Sequence, residues 1–184
     1  KLKVRRIWFD GELQKGVFAK DLILHVIQKL GVKDGVGYAY EFAGPGIYSL
    51  SMEERMTICN MAIEGGARCG YINPDQVTFD YLKGRKYSPK GAEWELAIKW
   101  WKSLCSNENA IYDDEVRFNA STIAPTVTWG ITPGQAIAIN SFIPSLESID
   151  PSDHQLALEA YQYMRLQPGS SIEGLAIDVC FIGS

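Results

Sequence analysis

Soft metal ligands are scarce in this chain, which has two histidines and four cysteines in 184 residues. Cys59, Cys69, Cys105 and Cys180 form no C-x-x-C pair, and no histidine stands at ligand spacing from any of them. The chain therefore encodes no zinc finger and no self-contained cluster motif, and no metal ligand is assigned. A disulfide framework is equally absent. Free thiols fit a reducing compartment, the cytoplasm. Cys59, Cys69 and Cys180 stand among apolar residues and are expected to be buried. There is also no surplus of positive charge. A net charge of −4 and a pI near 5.2 argue against nucleic acid or an anionic membrane as partner. The small basic cluster between Lys1 and Arg6 reads as a solvated strand edge. No apolar run reaches the roughly 18 residues of a membrane span. No signal peptide, internal repeat or low-complexity tract is evident. The first residue is Lys1 and not an initiator methionine, so the natural start is expected to lie upstream.

What remains is an ordinary globular composition, 46% hydrophobic and 22% charged, in a chain long enough to bury a core. Residues 4–10 read as a strand, and residues 19–30 as an amphipathic helix with Leu22, Val26, Ile27 and Leu30 on one face. Gly31 is a natural stop for that helix. A second strand is expected over residues 36–43, ended by Gly44-Pro45-Gly46. Ser51 with Glu54 three residues on predicts a capping box for a helix running to about Glu64, where Gly65-Gly66 breaks it. A short strand follows over residues 69–72. The next helix runs to Leu82, with Pro74 in its first turn. Further helices are expected over residues 93–104, with Trp94, Ile98, Trp101 and Leu104 inward, and over residues 152–164. Residues 115–118 and 126–129 look extended, and the apolar run 175–182 suits a strand buried on both faces. The alternation of strands and helices defines a layered α/β fold. Function in such folds gathers beyond the carboxyl ends of strands, and the chain stops just after the run 175–182. A functional loop is expected to follow Ser184.

The residues around the second helix carry the chemistry. Ile58, Cys59, Met61, Ala62 and Ile63 point several ways, as in a helix buried on most sides. Yet Glu53, Thr57, Asn60 and Glu64 recur at intervals of four, three and four and form one polar stripe. An unpaired buried polar group costs about 2–7 kcal/mol, so the stripe must face water, a polar network or a site. Glu64 lies near the helix C-terminus, where the helix dipole disfavours a carboxylate. A cation, a metal centre or a proton would satisfy it there; so would a structural network or an exposed edge.

The run T-I-C-N-M-A-I-E-G-G-A, from Thr57 to Ala67, resembles a signature of the aconitase superfamily, and Y-E-F-A-G-P-G-I, from Tyr40 to Ile47, is similar to what precedes it there. Four further segments resemble the isopropylmalate dehydratase branch, in its large-subunit form. They are A-K-D-L-I-L (Ala19 to Leu24), S-L-S-M-E-E-R-M-T (Ser49 to Thr57), P-D-Q-V-T-F-D-Y-L-K-G-R (Pro74 to Arg85) and P-T-V-T-W-G-I-T-P-G-Q (Pro125 to Gln135). The end, D-V-C-F-I-G-S from Asp178 to Ser184, is similar to the lead-in to that family's F-I-G-S-C-T-N motif. The resemblance covers essentially the whole chain, in family order.

That resemblance implies a hydro-lyase that interconverts 2-isopropylmalate and 3-isopropylmalate at a [4Fe–4S] cluster in leucine biosynthesis. It implies an αβα aconitase-type domain over residues 1–122 and the incomplete start of a further α/β domain over residues 123–184. Asn60 and Glu64 take the family's catalytic positions beside the cluster, Glu64 toward oxygen on its labile iron. The cluster cysteines belong to segments not in this chain, so none of its own four cysteines is a ligand. The fragment alone is then expected to bind no cluster and to be inactive. His25 and His154 match no substrate-binding histidine and fit surface or capping roles. A separate small subunit is implied as partner. Homoaconitase, a citramalate or maleate hydratase, or a cluster-free binding module on the same scaffold are the alternatives. Ile131 and Thr132 depart from the family's usual T-N, and residues 129–135 read as a connector built on glycine and proline.

Overall fold

In the computed structural model, which describes residues 2–183, four parallel strands form a sheet in the order β3-β2-β1-β4. Strand β1 (Lys3–Asp10) turns Arg5, Ile7 and Phe9 into the core and leaves alternate residues half-covered. Helix α1 (Ala19–Leu30) follows, with the predicted bounds. Leu22, Ile23, Val26 and Ile27 are all but fully buried, and Gly31 stops the helix at φ 95°, its N–H bonded to Ile27 C=O at 2.8 Å. Strand β2 (Tyr38–Ala43) is buried along nearly its whole length because it lies inside the sheet. A single helical turn, α2 (Pro45–Tyr48), leads to α3 (Met52–Met61) and a 3-10 turn over Ala62–Gly65. Strand β3 (Cys69–Tyr71), α4 (Gln76–Leu82), α5 (Ala92–Ser103) and β4 (Asp114–Asn119) complete this part.

The strand order sends the chain outward through β2 and β3 and then back across the sheet to β4. Helices α1 and α3 pack on the face of Ile7, Phe9 and Phe42. The return segment lies on the opposite face, where it is anchored to the buried carboxylate of Glu41, 1% exposed. Glu41 accepts hydrogen bonds from Tyr112 (2.8 Å), Ser106 (2.5 Å), Tyr71 (3.0 Å) and Asn73 (3.2 Å). Four donors offset the several kcal/mol that an isolated buried charge would cost. The rest of that face is charged, with Arg6 and Arg117 both paired to Glu115. Strand β1 is thus an interior strand, not the solvated edge its basic residues suggested. Arg5 is buried and paired with Asp34 and Asp114, while Lys1 lies outside the described residues.

Beyond β4 the architecture changes. Strands β5 (Thr126–Thr128) and β6 (Ala136–Ala138) make a two-stranded antiparallel ribbon. Helix α6 (His154–Met164) packs Ala157, Ala160 and Tyr161 on a second apolar cluster with Ile143 and Trp129. The Trp129 and Tyr161 rings stack at 5.2 Å, and the Tyr161 hydroxyl donates to Pro144 C=O at 2.7 Å. The ribbon is tied to α1 at two points. Thr126 N–H donates to Asp21 Oδ1 (2.7 Å), and Gln28 Nε2 donates to Ala136 C=O (2.7 Å).

Several expectations are corrected. Residues 173–183 form no strand and are exposed throughout, Val179 at 83% and Phe181 at 89%. A strand apolar on both faces needs neighbouring strands and covering layers, and none of the described residues supplies them. Pro74 stands before the N-cap of α4 and not in its first turn; the cap is Asp75, which accepts from Thr78 N–H at 3.3 Å. Leu104 falls past the end of α5 and is exposed. No helix of the described residues is long and apolar enough to cross a membrane.

Candidate functional site

Helix α3 begins as its capping box predicts. Ser51 Oγ accepts from Glu54 N–H (3.3 Å), and Glu54 Oε2 accepts from Ser51 N–H (2.9 Å). The helix is then pinned by Arg55, which sequence periodicity did not single out. Arg55 is 2% exposed and grips Asp75 with two guanidinium nitrogens (2.6 and 2.8 Å). It also donates to Tyr48 C=O (2.9 Å) and Leu50 C=O (3.1 Å). Burial pushes the Asp75 carboxyl up, but the Arg55 guanidinium outweighs it and holds the carboxyl below its usual range. One side chain thus locks α2, α3 and the start of α4 together.

With its azimuth set, α3 buries Ile58, Met61 and Ala62 and turns the polar stripe outward. It is not buried on most sides: Met56 and Ile63 are 44% and 61% exposed. Glu53, Thr57, Asn60 and Glu64 all line one cleft of about 640 Å³. Its other walls are Lys20 and Leu24 of α1, Thr128 of β5, and the loop 130–133. The Thr57 hydroxyl is committed to Glu53 C=O at 3.0 Å. Asn60 and Glu64 are exposed, and their side chains make no hydrogen bond or ion pair among the described residues. Gly65 is buried against Ile27, and Gly66, at φ 87°, packs so closely on Val32 and Lys33 that a side chain there would crowd their backbone and strain its own.

The loop wall is more than a Gly/Pro connector. Gln135, 7% exposed, accepts the N–H groups of Ile131 (2.7 Å) and Thr132 (3.2 Å) on its Oε1 and closes the loop from inside. Its amide lies against Gly130, leaving no space for a side chain there. No cysteine lines the cleft. Cys59 is half-buried, and burial pushes its thiol up to about 11, whereas Cys69 and Cys180 are exposed, contrary to expectation. Cys69 lies on the outermost strand β3 and Cys180 in the uncovered segment 173–183, so apolar neighbours in sequence did not translate into burial. His25 is half-buried with its ring edge-on to Phe118 at 5.3 Å, and burial lowers its pKa. His154 Nε2 lies 3.1 Å from Ile149 C=O. Among the described residues no three His, Cys, Asp or Glu side chains gather as a metal site.

The geometry is that of an α/β scaffold presenting an unpaired amide and carboxylate to an open cleft, and all of residues 1–184 match the aconitase family (aconitate hydratase). The chain belongs to the aconitase family. It is similar to the 3-isopropylmalate dehydratase large subunits of Prochlorococcus marinus strain SARG (82% identical), Prochlorococcus marinus strain MIT 9211 (74%) and Synechococcus sp. strain RCC307 (68%). Each match covers 100% of this chain and 39% of the relative, so the chain spans about two-fifths of the length of these curated relatives.

Proposed function

We propose that the chain is part of the large subunit of a 3-isopropylmalate dehydratase, a hydro-lyase of leucine biosynthesis, and that Asn60 and Glu64 are its contribution to the active site. The observation that carries this reading is the cleft itself. Two polar side chains one helical turn apart face it with no partner of their own, in a chain 82% identical to such a subunit. The residues fit the surroundings of a [4Fe–4S] cluster, not its ligation, because no thiol lines the cleft. When bound, the cluster supplies a Lewis acid for the substrate hydroxyl. Beside it, Asn60 would offer its amide N–H₂ as a hydrogen-bond donor, and Glu64 would orient the substrate oxygen that leaves and returns, or carry its proton. Removal of water from adjacent carbons gives an unsaturated diacid, and its return in the opposite sense gives the positional isomer.

A small subunit completes the site in this proposal, and the cytoplasm suits both the free thiols and the cluster. We also propose a division near residue 122, supported by the two apolar clusters, with an αβα domain before it and the start of a further α/β domain after it. Segments outside this chain would then cover the charged face of Arg6, Glu115 and Arg117. The test is Glu64→Gln in the complete two-subunit protein. Turnover of 3-isopropylmalate should fall about 100-fold, as when one electrostatic contact to the transition state is lost. The same change in this chain should alter its unfolding free energy by less than about 0.5 kcal/mol. Unchanged turnover with a destabilised chain would make the stripe structural.

A further inference from the structure

We propose that Lys20 is the cation that holds a carboxylate of the substrate in the cleft. The inference rests on the hydro-lyase reading above and adds to it a residue on a different element. Among the described residues, Lys20 is the one basic side chain lining the cleft; Glu53 and Glu64 face it from α3. It is exposed and makes no ion pair among the described residues, although carboxylates share its cleft. It also stands in the first turn of α1, where the positive end of the helix dipole disfavours a cation. A lysine placed against the local field and left without a counter-ion is poised for an anion that arrives from outside.

The mount of Lys20 is rigid. Ala19 is 2% exposed and Leu22 is fully buried. Asp21, itself 8% exposed, accepts from Phe18 N–H (2.7 Å) on one oxygen and from Thr126 N–H (2.7 Å) on the other. Asp21 is engaged by these backbone donors and forms no ion pair with Lys20 among the described residues. Its task is to clamp the start of α1 to β5, the strand that leads into the loop wall of the cleft. The adjacent pair divides the labour: Asp21 positions two walls, and Lys20 reaches between them. The A-K-D-L-I-L segment acquires a role that helix periodicity alone did not give it. The chemistry selected is an organic di-anion of small size. One carboxylate sits on Lys20, where a flexible ammonium makes a charge-assisted hydrogen bond, and the hydroxyl-bearing carbon is directed toward Asn60 and Glu64.

The experiment uses the complete protein with its partner subunit and cluster, as wild type, Lys20→Met and Lys20→Arg. KM and kcat for 3-isopropylmalate are measured beside the Kd from spectroscopic titration of the cluster with the equilibrated substrate. Lys20→Met should raise KM and Kd together by about 10- to 100-fold, the worth of one charged hydrogen bond, with a smaller change in kcat. Lys20→Arg should return both to within about five-fold, because the charge is kept and only its shape differs. Should Lys20→Met fail to fold, Lys20→Gln carries the same expectation. Unchanged KM and Kd in the neutral variant, or a loss confined to kcat, overturns the inference while leaving the hydro-lyase reading intact. A wild-type protein that neither binds nor turns over 3-isopropylmalate overturns both.

Discussion

The parallel sheet and the segment after it solve the same problem with different means. In the sheet, β1 and β2 are each flanked on both sides by strands, and one helical layer buries Ile7, Phe9, Phe42, Leu22 and Ile58. The charged groups inside it are held by several partners each, Glu41 with four donors and Arg55 with four bonds. After residue 125 the regular elements are a ribbon of three-residue strands and one helix around a smaller cluster, ending in residues 173–183 laid open to solvent. The difference teaches that hydrophobic composition alone does not make a core. Flanking strands and a covering helical layer do, and the second region has few of them.

The comparison can be tested by truncating equivalent core side chains. Phe42→Ala should cost about 4 kcal/mol in urea unfolding, because a buried ring at the sheet centre leaves a cavity its neighbours cannot fill. Arg55→Met should cost about 3 kcal/mol, the usual penalty for removing one partner of a buried ion pair. Ile143→Ala should cost about 2 kcal/mol, in the lower range for a core isoleucine, and should speed amide exchange in α6 while leaving β1 and β2 protected. Equal loss of protection in β2 and α6 would mean one cooperative unit and would break the comparison.

Acid sharpens it further. The Asp75 carboxyl is held below its usual range in the fold, so its contribution is fully present above its unfolded pKa of about 3.9. That contribution is lost as pH falls through the lower folded value. Wild type should therefore lose stability below about pH 4 more steeply than Arg55→Met, in which the guanidinium is gone. The smallest effect is expected at the open end: Val179→Ser and Phe181→Ser should each change the unfolding free energy by less than about 0.5 kcal/mol. A larger loss would reveal packing of that segment.

Much of the sheet region was legible because its signals are local. The period of α1, its glycine stop, the Ser51–Glu54 box and the extended run of β1 each need only a few neighbouring residues, and the structure places all of them as read. The polar stripe of α3 was legible for the same reason, since helical geometry alone puts Glu53, Thr57, Asn60 and Glu64 on one side. The run 175–182 misled because continuous hydrophobicity reports a demand for burial, not its fulfilment. Arg55 and Gln135 were missed because a buried arginine or glutamine looks like a surface residue until its partners are known, and theirs lie 5–20 and 3–4 residues away, respectively.

By itself, then, the sequence determined most elements of the sheet region and their order, the family resemblance and the face of α3 that had to stay polar. All of these follow from spacing within one element or from motifs read in a row. Tertiary structure alone decided that α1 and the loop 130–133 stand opposite that face, that Lys20 and Gln135 belong to the cleft and its loop wall, and that residues 173–183 stay uncovered. Those outcomes depend on which distant segments meet, and the contacts that bring them together, such as Asp21 with Thr126 across 105 residues, have no signature in local periodicity.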